Sequence, residues 1–403
     1  MSSATPNAPV FHPARRLDGV SESATLKLNA KVQAMKAAGL DVINLTAGEP
    51  DFNVPDVAKE AVVESLKLNR SRYTPAAGIP ELRAAVAEKT NRQQPSLATP
   101  WKAADVVITN GGKQALFNSF MAMLDPGDEV LIPSPFWLSY PEMVKLAGGT
   151  PRLVHATRAQ GFKISPTQLQ AAIGAKTKML VLNSPSNPTG AMYSQAELAA
   201  LGEVLEQAPH VWIISDEIYD RIILADVPFC SFLAACPDLA GRTITANGMS
   251  KSAAMTGWRV GWSVAPAAIT QSMITLQGQS TSNVNALAQW ASVAALKLPE
   301  SEFAGQVESY RRRRAMVLDI LGKAGKIDVF PAQGAFYAFV GIGNCLRPGE
   351  DSFGFCERLL DAAKVAVVPG TPFGEPSSVR LSFALDERSL EEGCRRLAAF
   401  VSS

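Results

Sequence analysis

NGMSKSAAMTGWRVGW, residues 247–262, sets Lys251 in a small-residue turn eight positions before Arg259. A lysine amine can form a Schiff base with an aldehyde, and an arginine presents a planar fork of donors suited to a doubly charged phosphate. The stretch links two short runs of strand character, 243–245 and 259–264, which are the last two of six. The others are 106–109, 130–132, 179–182 and 211–214, with helical period over 114–124, 137–147 and 195–207 between them. This alternation predicts an α/β fold whose large domain holds a mostly parallel sheet covered by helices. Polar clusters follow the strands: Asn110-Gly111-Gly112, Ser134-Pro135, Asn183-Ser184-Pro185 and Ser215-Asp216. Ligands of open α/β sheets sit outside the carboxyl ends of the strands, so these clusters are expected to converge on one site.

A length of 403 residues suits two or three packed units, and 47% hydrophobic with 19% charged residues reads as an ordinary globular protein. The net charge of +1 gives no argument for nucleic acid or an acidic membrane surface, so the partners expected are small molecules or other protein chains. Cys230, Cys236, Cys345, Cys356 and Cys394 lie far apart without a Cys-x-x-Cys, and the three histidines, His12, His155 and His210, are scattered. Neither a disulfide framework nor a metal site is implied, and a reducing cytoplasm fits. The first twenty residues are polar and proline-bearing, and no run of about 18 apolar residues occurs, so neither a signal peptide nor a membrane span is expected.

Beyond about Leu298 the pattern changes to a long amphipathic helix, 302–321, strand-like 335–340, 365–368 and 379–383, and helices 353–363 and 386–401, a smaller α+β domain. The division expected is a tail, 1–20, a segment packing with the small domain, 21–54, a large domain, 55–298, and the small domain, 299–403. The run Arg311 to Arg314 is read as a solvated helix face with ion pairs inside its own domain.

The motifs LTAGEPDF (45–52), YTPAAGIPELR (73–83), GGKQALFN (111–118), NSPSNPTG (183–190), SDEIYD (215–220), the Lys251 segment and RLSFA (380–384) together make the chain resemble the fold-type I aminotransferases of class I, in the bacterial aspartate aminotransferase-like branch. The resemblance runs from about Ser23 to Val401 and implies pyridoxal 5′-phosphate as cofactor. It also implies Lys251 as cofactor anchor and base, and Asp216 as partner of the pyridine nitrogen. A buried carboxylate is costly unless paired, and a protonated ring both pairs it and draws electrons; without Lys251 the same aspartate would read equally well as a helix cap or turn former. Tyr219 and Asn187 resemble donors to the phenolic oxygen of the cofactor, and Trp137, which composition alone would assign to the core, resembles the aromatic stacked on its ring. Gly111, Gly112, Ser250 and Arg259 resemble the phosphate site, where helix-start N–H groups cradle an anion. Gly248 departs from the Ser or Thr that many relatives carry there.

Lys113 opposes the dipole of the helix it opens, which suggests a nearby anion, although a solvent-directed side chain is the plain alternative. By resemblance that anion is the distal carboxylate of a dicarboxylic substrate, helped by Ser23 and Thr25, while Arg380 with the backbone at Gly48 clamps the α-carboxylate. Tyr73 resembles the tyrosine that reaches the phosphate of a second subunit, so a homodimer with shared sites is implied. The activity implied is exchange of the amino group between L-aspartate and 2-oxoglutarate in amino-acid biosynthesis. Alternatives are a prephenate or dual-specificity aminotransferase, which also meets a second carboxylate, and a broad-range aromatic one, against which Lys113 argues. A regulator with an aminotransferase-like domain would need a DNA-binding module that about twenty leading residues do not supply.

Overall fold

The computed structural model describes residues 11–21 and 24–403, with the side chains of 24–27 and 29 outside that description. Helix Ala24–Ala37 leads into a short strand, β1 (Ile43–Asn44). Seven strands follow: β2 (Val106–Thr109), β3 (Glu129–Ser134), β4 (Thr150–His155), β5 (Thr177–Asn183), β6 (Trp212–Asp216), β7 (Thr243–Gly248) and β8 (Gly261–Val264). They form one sheet in the order β2-β8-β7-β6-β5-β3-β4, in which β8 runs antiparallel to both its neighbours and the other pairs are parallel.

Successive side chains of a strand point to opposite faces, and here both faces are apolar. Val130, Ile132, Val181, Ile214 and Ile244 pack on one side with Leu116 and Phe120 of helix Gly112–Met123. Leu131, Leu180, Leu182 and Ile213 pack on the other with Leu198 and Leu201 of helix Gln195–Glu206. Burial on both faces is why these strands read as continuous apolar runs in the sequence. The edge strand β4 gives no such run, because Thr150, Arg152, Leu153 and His155 are exposed.

The remaining strands are β9 (Asp328–Val329), β10 (Tyr337–Gly341), β11 (Val365–Ala366), β12 (Val368–Pro369) and β13 (Ser378–Ser382), and β12-β13-β10-β9 make an antiparallel sheet. The single strand expected over 365–368 is in fact two. β11 pairs in parallel with β1, whereas β12 pairs with β13, so the chain changes partner at Val367. Leu45 extends the tie by accepting at its carbonyl from Ser382 N at 2.8 Å, which brings 43–46 beside Arg380.

Helix Ala304–Gly322 corrects the reading of the arginine run. Arg311 and Arg312 do pair on its outer side, with Glu308 at 3.9 Å and Glu387 at 3.5 Å. Arg313 is instead buried, donating to Asp51 Oδ1 at 2.9 Å and stacking 5.5 Å from the centre of the Phe52 ring. Four consecutive residues fan over about 300° of the helix, so they cannot share one solvated face.

Candidate active site

The carboxyl ends of β5 and β6 lie in register, Asn183 beside Asp216, and Asn183 Nδ2 donates to the Asp216 carbonyl at 3.0 Å. Asp216 is 5% exposed and has no cation in ion-pair reach among the described residues. Its Oδ2 accepts from Tyr140 Oη at 2.6 Å and its Oδ1 from Ile218 N at 3.2 Å. Burial disfavours the charged carboxylate and pushes it up to about 6, against the opposing pull of those two donors. Tyr140 is displaced upward in turn, by burial first and then by the charge of Asp216.

β7 ends at Gly248, and helix Met249–Ser252 begins at once, which holds Lys251 over the sheet end. Lys251 Nζ donates to the Gly48 carbonyl and lies 5.8 Å from the centre of the Phe336 ring. Removal from water brings its ammonium down to about 8; Glu49 opposes the shift, and Arg380 and Arg259 add to it. A lysine amine near neutrality is free to act as nucleophile or base.

At the start of helix Gly112–Met123, Gly111 has φ 81° and serves as the N-cap. A Cβ there would lie 2.5 Å from Arg259 Nη2, so only glycine lets the guanidinium close over the helix start. Arg259 itself has φ 55°, uncommon for a side chain with Cβ, and donates to the Thr256 and Asn110 carbonyls at 3.0 and 3.2 Å. The helix N-terminus with this cation beside it is an anion site. Lys113 is exposed, lies 5.0 Å from the centre of the Trp137 ring and has no carboxylate partner among the described residues. Although the residue as a whole is exposed, partial desolvation of its ammonium lowers its pKa first, and Arg259 second.

Arg380 on β13 is buried, 3% exposed. Its Nη1 donates to Asn187 Oδ1 at 2.9 Å and its Nη2 to the Thr46 carbonyl at 3.1 Å, while its Nε has no partner among the described residues. A buried guanidinium without a carboxylate leaves charge for a ligand to neutralise. With Asn187 Oδ1 engaged, the amide N–H groups of Asn187 are what that residue can offer a ligand. One cavity of about 620 Å³ is lined by Gly48, Gly112, Lys113, Trp137, Asn187, Asp216, Tyr219, Ser250, Lys251, Arg259 and Arg380.

The match to the family model Aminotransferase class I and II covers residues 40–397. The chain belongs to the aminotransferase class I and II family. It is 44% identical over 392 residues to the aspartate/prephenate aminotransferase of Cereibacter sphaeroides, covering 95% of this chain and 97% of that one. It is 41% identical to an aspartate aminotransferase of Streptomyces avermitilis, covering 100% of this chain and 99% of the relative. Among solved structures, the aspartate aminotransferase of Rhizobium meliloti superposes with a TM-score of 0.93 at 39% identity, covering 97% of this chain and 99% of that one. That of Thermus thermophilus with maleate superposes with 0.91 at 40%, covering 97% and 100%.

In this aminotransferase three of the four polar clusters expected to converge contribute cavity-lining residues, through Gly112, Asn183 and Asp216. Ser134-Pro135 does not: Ser134 Oγ donates to the Gly374 carbonyl at 3.3 Å instead. Tyr73 is not brought to the cavity within one chain and stands 93% exposed. Ser23 lies outside the described residues, and Thr25 lies in helix Ala24–Ala37 with its side chain outside the description. Sequence reasoning missed Tyr140 and Tyr337, which both line the cavity. Tyr140 N donates to the Trp137 carbonyl at 3.0 Å in the turn that opens helix Ser139–Leu146, and no local signal marked the tyrosine as more than core.

Proposed function

We propose that the protein is a homodimeric, pyridoxal 5′-phosphate-dependent aspartate aminotransferase that exchanges amino groups between L-aspartate and 2-oxoglutarate in a ping-pong cycle. The observation that carries the reading is a single cavity holding an amine of lowered pKa, Lys251, a buried carboxylate without a cation, Asp216, and two carboxylate-free cations, Arg380 and Lys113. The donor set fits the cofactor. Asp216 suits the pyridine N–H, Gly111, Gly112, Ser250 and Arg259 suit the phosphate, and Trp137 offers an aromatic face. When bound, pyridoxal phosphate supplies an aldehyde that receives the amino group and a ring that draws electrons from the substrate.

The residues of the chain do the rest. Arg380 and the Gly48 backbone orient the α-carboxylate, and Lys251 Nζ takes the proton from the substrate Cα. Tyr219 and Asn187 donate hydrogen bonds, and Lys113 meets the distal carboxylate. Maleate, the ligand in the Thermus structure, is likewise a dicarboxylate, and the Cereibacter name includes prephenate, a second substrate compatible with the same pocket. The working division is a large cofactor-binding domain, 55–298, and a small one, 299–403, joined by 21–54. The five cysteines are unpaired, as a cytoplasmic enzyme would keep them, and no helix among the described residues is long and apolar enough to cross a membrane.

Lys113→Ala tests the substrate class. Aspartate and glutamate should lose on the order of 10- to 100-fold in kcat/KM while alanine and phenylalanine lose little, the scale of one charge-assisted contact. Arg380→Ala should penalise every amino donor alike, since each carries an α-carboxylate. Equal loss across all donors in Lys113→Ala would remove the case for a dicarboxylate enzyme, and a steady-state panel that includes prephenate decides the second reading.

A further inference from the structure

Tyr219, in the turn after β6, and Tyr337, on β10, come from elements far apart in the chain, and their hydroxyl oxygens meet 3.0 Å apart with the rings edge-on at 5.9 Å. Both are buried and both line the cavity. The Arg380 guanidinium carbon lies 4.3 Å from the centre of the Tyr337 ring. Tyr219 is the only hydrogen-bond partner of the Tyr337 hydroxyl among the described residues.

A phenol has one proton to give and lone pairs to accept with. Two phenols that share a hydrogen bond therefore have one proton between the oxygens and one left over, and the second belongs to the acceptor of the pair. If Tyr219 gave its proton to Tyr337, the proton of Tyr337 would be the one left for the cavity and Tyr219 would have none to offer. The opposite arrangement leaves the Tyr219 proton free for a ligand oxygen, and a hydroxyl that accepts one hydrogen bond donates the next more strongly.

We propose that Tyr337 is a positioning residue whose hydroxyl donates to Tyr219 and so directs the single Tyr219 proton into the cavity, while its ring seats Arg380. The inference rests on the aminotransferase reading, in which Tyr219 donates to the phenolic oxygen of the cofactor and Arg380 holds the α-carboxylate. One side chain then links the hydrogen bond that tunes the cofactor to the clamp that holds the substrate. The other charged groups around the pair are Asp216 on β6, Lys251 with Glu49 and Arg259 near it, and Arg380 on β13; none of them is altered by removing the Tyr337 oxygen.

The test is a pH titration of the visible absorbance of the cofactor-loaded protein in wild type, Tyr337→Phe, Tyr219→Phe and the double variant. A donor to the phenolic oxygen favours its deprotonated form, so Tyr337→Phe should move the titration to higher pH, by roughly half a pH unit. The double variant should move no further than Tyr219→Phe alone, because Tyr337 acts through Tyr219. KM for dicarboxylic substrates should stay within about twofold in Tyr337→Phe, which keeps the ring under Arg380. An unmoved titration in Tyr337→Phe, shifts that add in the double variant, or a KM raised about tenfold with the ring retained would each overturn the inference. A wild-type protein that binds no pyridoxal phosphate would instead sink the reading beneath it, and the inference with it. Tyr337→Phe removes one oxygen from a side chain whose ring keeps its packing, and a thermal melt close to that of wild type identifies any shift as local.

Discussion

Asp216 and Lys251 are displaced by the same cause in the directions their charges demand: burial raises the acid to about 6 and lowers the amine to about 8. Each shift sets a lower pH limit on a different part of cofactor loading. Only the neutral amine attacks an aldehyde, so the rate of pyridoxal phosphate capture should rise as pH climbs through about 8. Only the carboxylate pairs with a pyridine N–H, so equilibrium affinity should fall as pH drops through about 6. Tyr140 stabilises the charged form of Asp216 by donating to it, and its loss must raise the acid further. In Tyr140→Phe the acid-side loss of affinity should therefore move to higher pH while the alkaline limb of the capture rate stays in place. Fluorescence titration and stopped-flow mixing across pH read the two limbs separately. An acid limb that moved down or stayed put would show that Tyr140 does not hold Asp216 in its charged form.

At the scale of the elements, packing holds position 248 to glycine. Its φ of 176° is extended backbone that any residue adopts, but a Cβ would stand 3.0 Å from both Gly261 Cα and the Val260 carbonyl, where β7 and β8 are in register. Gly248→Ser should therefore cost about 1–3 kcal/mol, as overpacking does, without improving retention of the cofactor phosphate. Gly261→Ala meets the Gly112 nitrogen at 2.3 Å, so it should lower both the melting temperature and cofactor retention by displacing the helix start. Thermal melts paired with dialysis would expose the error if Gly248→Ser held the cofactor more tightly at an unchanged melting temperature.

The same packing explains what the sequence could and could not disclose. β2, β5 and β6 were legible because both their faces are buried and every position along their cores is apolar. β4 was not, since an exposed edge carries no apolar period, and the division of 365–368 depends on β1 and β13, more than 300 positions away and about ten positions away respectively, which no local pattern records. Lys251 and Arg380 were reached through the motifs that resemble the family, and Asp216 also because a carboxylate at the end of an apolar strand is costly unless paired. Tyr140 and Tyr337 were not, because an aromatic in an apolar stretch reads as core until the partner of its hydroxyl is known. Arg313 shows the converse: a charge in a run of charges reads as solvated, although this one is buried.

For the whole molecule, the unexplained exposure is that of Tyr73, at 93%, and of Val63 and Leu66, three positions apart along helix Asp56–Lys67. Spacing of three places those two on one face, and an outward apolar face together with an exposed tyrosine that has no task in its own chain suits a second copy of the protein. On the dimer reading each site draws Lys251 from one subunit and Tyr73 from the other, and the two variants Lys251→Ala and Tyr73→Ala should each be nearly inactive. Mixed under subunit exchange, they form hybrids in which one site lacks both residues and the other has both intact. Random exchange makes half of the dimers hybrid, so activity should return to about a quarter of the wild-type level. Sedimentation should find a dimer throughout, and Tyr73→Phe should release cofactor faster than wild type on dialysis, because the ring remains and only the phosphate contact is lost. A fully active monomer, or a mixture that regains nothing while exchange is verified with labelled subunits, would confine every residue of the site to one chain and leave the exposure of Tyr73 without a function.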